Sequence, residues 1–147
     1  MPLSTALLIA AAVIAIALVV GIVLRQRDGG RRSTGGHRVE PAHLTSGALA
    51  SGATLVLLST EFCARCPQVR RMLQTEAARH EGVSHAEIDL TARADLASTH
   101  RVLQTPTVLL VDGGGAVRIR WAGAPRPADV AAAVASVLSS TPTQETV

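Results

Sequence analysis

Residues 53–69 read ATLVLLSTEFCARCPQV and contain the only two cysteines of the chain, Cys63 and Cys66. The continuous apolar run over Ala53–Ser59 predicts a strand that is buried on both faces, as in the centre of a sheet. After Cys63 the apolar residues recur at helical spacing, at Val69, Met72, Leu73 and Ala77. The stretch therefore predicts a buried strand followed by a helix that opens with a Cys-x-x-Cys pair.

Strand and helix patterns continue to alternate downstream of this helix. A strand is predicted over residues 83–90, a helix over 94–102, two strands over 107–111 and 117–121, and a last helix from Pro127. Asp-Gly-Gly-Gly between the last two strands is typical of a hairpin, and a further short helix is predicted over residues 42–50. This order predicts an α/β fold with a central mixed sheet flanked by helices, in which the first two strands run parallel.

Three kinds of chemistry use cysteines at this spacing, and two of them fit this chain poorly. A structural zinc ion needs four ligands, and the chain has no second Cys-x-x-Cys pair. A structural disulfide between residues three apart would close a loop too short to constrain much of the unfolded chain. A redox pair fits the strand-helix context, and two buried thiols without chemistry are the remaining alternative.

A cysteine between a buried strand and the start of a helix is suited to disulfide exchange. Backbone amides and the helix dipole stabilise a thiolate at that position, which is the position of Cys63. Cys66, one turn further on, can attack the mixed disulfide that Cys63 forms with a substrate. The residues therefore predict Cys63 as the nucleophile and Cys66 as the resolving thiol.

Residues 53–138 resemble the thioredoxin family in the order of their motifs: strand, Cys-x-x-Cys helix, strand, helix, Thr-Pro-Thr, hairpin, glycine and closing helix. In this resemblance Pro106 matches the family's cis-proline, and Gly123 matches the glycine before the last helix. The resemblance implies a thioredoxin-like fold and protein-disulfide oxidoreductase activity with catalytic Cys63 and Cys66. It also implies a substrate-binding surface made of Phe62, Arg65, Thr105, Pro106 and Gly123.

The same resemblance implies partners of a particular kind. These are cysteine-containing proteins and an upstream dithiol donor or reductase, with no metal and no organic cofactor, and the protein is expected to be a monomer. Nucleic-acid binding is disfavoured, because one Phe, one Trp and no Tyr leave few platforms for base stacking. Two alternatives stay open: an outward-facing protein of the same kind for exported or cytochrome-maturation substrates, and a redox-inactive module that keeps the fold for interactions.

Three positions depart from the family pattern. Phe62 replaces the tryptophan that usually precedes the first cysteine, and Leu57 occupies the position of the family's buried acid, six residues before that cysteine. The dipeptide between the cysteines is Ala64-Arg65 instead of Gly-Pro. Without the buried acid, deprotonation of Cys66 is expected to be slower.

The N-terminal region carries a membrane signal. Residues 6–24 are an uninterrupted run of 19 apolar or small side chains, and a helix of that length is about 28 Å long. A single transmembrane helix is therefore predicted within residues 1–24. All 14 basic residues are arginines, a composition of the actinobacterial type, and five of them follow the run at residues 25–38.

This arginine asymmetry predicts the orientation of the chain in the cell membrane. Short flanks rich in arginine stay on the cytoplasmic side, so the main domain is predicted to face the cytoplasm. Residues 25–41 are predicted as a flexible Arg/Gly-rich tether, residues 42–139 as the thioredoxin-like domain, and residues 140–147 as a disordered tail.

Overall fold

The computed structural model describes residues 3–27, 30–33 and 36–140 of the chain. The helices in these ranges are α1 (Leu3–Arg27), α2 (Cys66–Ala77), α3 (Ala94–Thr99) and α4 (Pro127–Ser140), with a short 3-10 helix at Pro41–His43. The strands are β1 (Gly30–Ser33), β2 (Ala53–Ser59), β3 (Val83–Asp89), β4 (Thr107–Asp112) and β5 (Val117–Ala122). Residues 141–147 of the predicted tail lie outside the described ranges.

The five strands form one mixed sheet in the order β1-β5-β4-β2-β3. β2 and β3 run parallel, joined by α2, whereas the β2-β4, β4-β5 and β1-β5 pairs are antiparallel. The predicted parallel pair and the predicted hairpin are therefore confirmed. Leu57 lies opposite Glu87 across the β2-β3 pair, and Leu58 lies opposite Thr107 across the β2-β4 pair.

Each face of the sheet has its own core, because the side chains of a strand point alternately to the two faces. On one face, Leu55, Leu57 and Trp121 pack against α2 and α4. On the other face, Val56 and Leu58 pack against α3 and the segment that precedes β2. Every residue of β2 is buried, so the strand that leads into the cysteine turn lies at the centre of the structure.

Helix α2 begins at Cys66, three residues later than predicted, and Pro67 explains the difference. An α-helix that began at Cys63 would need the amide of residue 67 to donate to the Cys63 carbonyl, and proline has no N–H. Instead, the Cys66 amide donates to the Cys63 carbonyl at 3.2 Å, and Arg65 is the N-cap. Cys63 therefore lies in a turn that precedes the helix.

Two other predicted helices are shorter in the structure. Helix α3 ends at Thr99 because Arg101 adopts a left-handed φ of 49°. The amides of Arg101 and Val102 donate back to the carbonyls of Ser98 and Ala97, which closes the helix end. The helix predicted over residues 42–50 is reduced to the 3-10 turn at Pro41–His43.

Part of the segment predicted as a flexible tether is paired with the sheet. β1 pairs with β5, and Arg38 forms a bridge with Ala116. The side chain of Val39 is buried, and its amide donates to the Gly115 carbonyl at 2.9 Å. The physical reason is that β5 would otherwise be an edge strand with unpaired backbone groups, which this segment covers.

Helix α1 carries the apolar run of the N-terminal region. Its side chains are described at Thr5 and from Leu7 to Val23, and the large apolar ones among them are exposed. None of the helices in the described ranges qualifies as a membrane span by its length and apolar character. The predicted transmembrane helix is therefore without support from the structure.

Candidate redox site

Cys63 and Cys66 are joined by a disulfide, and their Cα atoms are 5.4 Å apart. The turn that begins after β2 brings them together: the Cys63 amide donates to the Thr60 carbonyl at 3.1 Å, and the Cys66 amide donates to the Cys63 carbonyl. Cys63 is half-buried, whereas Cys66 is only 2% exposed. If the disulfide is reduced, Cys63 is the thiol that is open to a partner.

The Thr105–Pro106 peptide lies at the same end of the sheet as the cysteine turn and is cis. β2 ends at Ser59, just before the turn, and β4 begins at Thr107, just after Pro106; these two ends are neighbours because Leu58 pairs with Thr107. Thr105 is half-buried and Pro106 is buried. The antiparallel register therefore brings the cysteine turn and Thr105–Pro106, which lie far apart in sequence, to one end of the sheet.

The backbone of Gly123 is hydrogen-bonded to Pro106 at this end of the sheet. Its amide donates to the Pro106 carbonyl at 2.8 Å, and its φ is 93°, in the region that favours glycine. The structure thus joins Gly123 directly to Pro106. Phe62 is 85% exposed beside Cys63, and Arg65 is exposed within the Cys-x-x-Cys turn.

Replacing Gly123 by alanine is expected to lower the free energy of unfolding by about 1–2 kcal/mol, because a Cβ atom is strained at positive φ. Urea unfolding followed by the fluorescence of Trp121, which is buried, measures the change. Gly114→Ala is the matched control, since Gly114 lies in the exposed hairpin turn and is not among the positive-φ glycines. An equal loss of stability in both variants would contradict the role of φ at Gly123.

The carboxyl group nearest to Leu57 across the sheet lies on the neighbouring strand, β3, and faces α2. Leu57 is fully buried among apolar side chains, as the sequence predicts for this position. The neighbouring residue across the β2-β3 pair is Glu87. Since residues opposite each other in a parallel pair share a face of the sheet, Glu87 lies on the side covered by α2.

Glu87 is held by Arg70 and Ser59. The Arg70 guanidinium donates two hydrogen bonds of 2.7 Å to the two carboxylate oxygens, and the Ser59 hydroxyl donates to Oε1. The bonds from Arg70 are the main cause that keeps the pKa of Glu87 below its usual value; burial opposes them, and the Ser59 bond adds to them. Glu87 is therefore ionised, and its carboxylate oxygens are bonded to Arg70 and Ser59. The Arg70–Glu87 pair links α2 to β3 one helical turn after Cys66.

No sequence pattern predicts this network. Ser59 ends a strand, Arg70 lies on a helix and Glu87 lies in a second strand, and no motif connects them. The spacing of four residues between Cys66 and Arg70 is the only hint, because it places both on one side of α2.

Three histidines cluster at His100, where the loop that leads to Thr105 begins. This cluster, too, was not predicted from the sequence. His100 is 1% exposed, and its Nδ1 shares a hydrogen bond of 2.9 Å with His37 Nε2. The ring centroids of His37 and His43 lie 5.1 and 5.7 Å from that of His100, both edge-on. The five residues between His37 and His43 are a spacing common in metal sites. In the described part of the chain, no group of three His, Cys, Asp or Glu side chains is arranged to hold a metal ion.

Burial holds the pKa of His100 down to about 4, and electrostatic interaction with His37, His43 and Arg120 adds to this effect. Arg120 donates to the carbonyls of His100 and Arg101, at 2.6 Å each. His100 is therefore neutral at pH 7, and the backbone of its loop is held by a cation from β5.

Comparison with known proteins bears on the fold. No protein-family profile matches the chain, and no curated protein matches it. Solved structures do: the thioredoxin of Trypanosoma brucei brucei is 21% identical, with a TM-score of 0.52 over 61% of this chain and 78% of that one. The fold is thioredoxin-like.

Two further solved thioredoxins share this thioredoxin-like fold. Chloroplastic thioredoxin z is 21% identical, with a TM-score of 0.53 over 60% of this chain and 80% of that one. Thioredoxin-2 of a malaria parasite is 15% identical, with a TM-score of 0.52 over 58% and 82%. The predicted fold is thus confirmed for the globular part, and the likeness at these identities concerns the fold alone.

Proposed function

We propose that the chain is a thiol-disulfide oxidoreductase that exchanges electrons with cysteine-containing proteins. The observation that carries this proposal is the Cys63–Cys66 disulfide, at the start of α2 and at the same end of the sheet as Thr105–Pro106. A pair of cysteines three residues apart stabilises the fold little, because the loop it closes is short. Reversible chemistry is therefore the better reason for the pair.

The proposed reaction transfers two electrons. In the reduced protein, the Cys63 thiolate attacks a disulfide of the substrate, forms a mixed disulfide and releases the first substrate thiolate, which takes up a proton. The Cys66 thiolate then attacks Cys63 Sγ, releases the second substrate thiolate and forms the Cys63–Cys66 disulfide. A dithiol donor reduces this disulfide again, and the reverse sequence oxidises a dithiol substrate.

The exposure of the two cysteines supports this division of roles. Cys63 is half-buried beside the exposed Phe62, whereas Cys66 is buried and bonded to Cys63. We propose that the substrate segment lies along the backbone at Thr105, in the manner of an added strand, with Phe62, Arg65, Pro106 and Gly123 around it.

A protein-disulfide reduction assay tests the proposed function. The chain is mixed with insulin and dithiothreitol, and the precipitation of the reduced insulin chains is followed against the rate with dithiothreitol alone. Acceleration that disappears in Cys63→Ser supports the oxidoreductase. No acceleration by a protein whose two thiols titrate normally would favour the redox-inactive interaction module.

Arg65 is expected to raise the reduction potential of the pair. A cation in the turn favours the Cys63 thiolate and so the reduced form. Because Arg65 is exposed, the contribution is about 10–20 mV, and Arg65→Gln is expected to lower the potential by that amount. Equilibration with glutathione buffers measures it. Arg71→Gln, an exposed arginine further along α2, is the control, and an unchanged or higher potential in Arg65→Gln would contradict the expectation.

We also propose that α1 attaches the domain to the cell membrane, with the domain on the cytoplasmic side. The support is in the sequence: 19 uncharged apolar or small residues are followed directly by a segment with five arginines. Extraction of the full chain with carbonate tests the attachment, since an integral protein stays in the membrane pellet.

A C-terminal alkaline phosphatase fusion tests the orientation, and it is expected to be inactive. High phosphatase activity would instead favour the outward-facing protein for exported or cytochrome-maturation substrates.

A further inference from the structure

The histidine cluster, His37, His43 and His100, connects two parts of the chain that lie far apart in sequence. His100 follows α3, and His37 and His43 belong to the segment of residues 36–44 that runs beside β5. His37 Nε2 and His100 Nδ1 share the 2.9 Å hydrogen bond, and His43 packs edge-on against the ring of His100. His100 Nε2 and His43 Nδ1 are buried without a hydrogen-bond partner among the described residues. The contact is therefore close and partly buried, and two of its ring nitrogens lack a hydrogen-bond partner among the described residues.

Besides the cluster, a β-bridge, a side-chain hydrogen bond and two apolar side chains hold the segment of residues 36–44 against the domain. Arg38 forms the bridge with Ala116, and its guanidinium donates to the Gly114 carbonyl at 2.6 Å. The Val117 amide donates to the His37 carbonyl at 2.8 Å, and the Val39 amide donates to the Gly115 carbonyl at 2.9 Å. Val39 and Leu44 contribute the buried apolar side chains of the segment. Because the segment lies at an edge, it can open without breaking the fully buried ladder of β2.

The surroundings of His100 disfavour a positive charge. The ring faces His37 and His43 from the segment of residues 36–44, and Arg120 from β5; Arg101 adds a positive charge close to His37. The acidic side chain beside the cluster is Glu40, whose Oε2 lies 3.8 Å from His43 Nε2 and which is largely exposed. A proton on His100 would therefore place a positive charge in a buried position beside Arg120, with no acidic side chain of the described residues against the His100 ring to balance it.

We propose that the histidine cluster is an acid-sensitive latch, in which a proton on His100 releases the segment of residues 36–44 from the His100 loop while the rest of the sheet stays folded. The same loop continues after five residues into Thr105–Pro106, so opening also loosens the predicted substrate surface; this consequence rests on the proposed function. The opening itself does not.

The latch makes a quantitative prediction for amide exchange. The closed state holds His100 neutral down to about pH 4, and an opened state binds a proton at the ordinary histidine pKa of 6.5. Below pH 6.5, the population of the opened state rises about tenfold for each pH unit, until the closed state also binds a proton near pH 4. Between pH 6.5 and pH 4.5, the protection of amides that only the latch covers is therefore expected to fall about 40-fold, because His100 of the opened state is already half protonated at pH 6.5.

Hydrogen exchange read by NMR across this pH range, with protection corrected for the intrinsic exchange rate, tests the proposal on the full chain. The Val39 and Val117 amides are the reporters, and the amides of β2 are the internal reference. In His100→Gln the reporters are expected to lose this pH dependence. His85→Gln is the matched control: His85 is a partly buried histidine of β3 whose pKa is also lowered, mainly by burial, and its replacement should leave the latch unchanged.

His37→Gln gives a second readout if His100→Gln does not fold. It removes one partner of the His37–His100 bond, so the reporters are expected to be less protected already at pH 7. The latch is overturned if the reporters keep their protection down to pH 4.5, if the β2 amides lose theirs in parallel, or if the pH dependence is the same in His100→Gln. Because exchange needs no redox turnover, a failed insulin assay leaves this test intact.

Discussion

Replacing Cys66 by serine is expected to convert the protein from a catalyst into a trap for its substrates. The Cys63 thiolate can still attack a substrate disulfide, but a serine hydroxyl cannot resolve the mixed disulfide that results. Turnover of a protein disulfide is expected to fall at least about 100-fold. A covalent adduct that a reductant removes is expected to accumulate, visible on non-reducing gels and by mass spectrometry.

Cys63→Ser is the matched control for this trap. It is expected to be as inactive as Cys66→Ser but to form little adduct, because the remaining thiol, Cys66, is buried in the first turn of α2. In the reduced wild type, iodoacetamide is expected to modify Cys63 first for the same reason. An adduct that forms on Cys63→Ser and not on Cys66→Ser would reverse the roles of the two cysteines.

Replacing Arg70 by alanine is expected to lower the free energy of unfolding by about 2 kcal/mol at pH 7. The change leaves the Glu87 carboxylate, whose side chain is only 17% exposed, with the Ser59 hydroxyl as the hydrogen-bond donor that remains to it. Arg70 itself is 39% exposed, which keeps the loss below that of a fully buried ion pair. Urea unfolding measures it.

The loss in Arg70→Ala is expected to depend on pH in a defined direction. In the wild type the pKa of Glu87 is lowered from 4.5, so the stability it contributes is present above that pH and is lost as the pH falls through the lowered pKa. Without Arg70 this contribution is missing, and the two proteins become more similar in stability as the pH falls below 4.5. A stability difference that grows in acid would contradict the ion-pair argument.

A double variant and an exposed neighbour complete the comparison. Glu87→Gln in the Arg70→Ala background removes the unpaired charge and is expected to recover part of the lost stability. Arg71→Ala changes an exposed arginine whose Nε donates to the Pro67 carbonyl of its own helix, and is expected to change stability by less than about 0.5 kcal/mol. Because Arg70 fastens the start of α2, faster alkylation of Cys66 is expected in reduced Arg70→Ala and not in Arg71→Ala.

The sequence by itself determined the elements that periodicity and local chemistry encode. The apolar run of β2 has the bounds predicted for it, and the alternating strands, the hairpin and the face of α4 follow from spacings of two and of about 3.6 residues. The Cys-x-x-Cys pair and Pro106 were visible as motifs. The late start of α2 was also available in principle, because the missing amide of Pro67 is a local property.

Only the tertiary structure decided which distant groups meet. Periodicity tells which face of a strand is buried, but the partner of a polar side chain depends on sheet register and loop geometry. The Arg70–Glu87 pair spans 17 residues, and the His37–His100 bond spans 63. β1 joined the sheet for a similar reason: residues 30–33 have no strand pattern of their own, and the open edge of β5 supplies the partner. Such contacts follow from the packing of the whole chain, because each partner alone looks like a solvated surface residue.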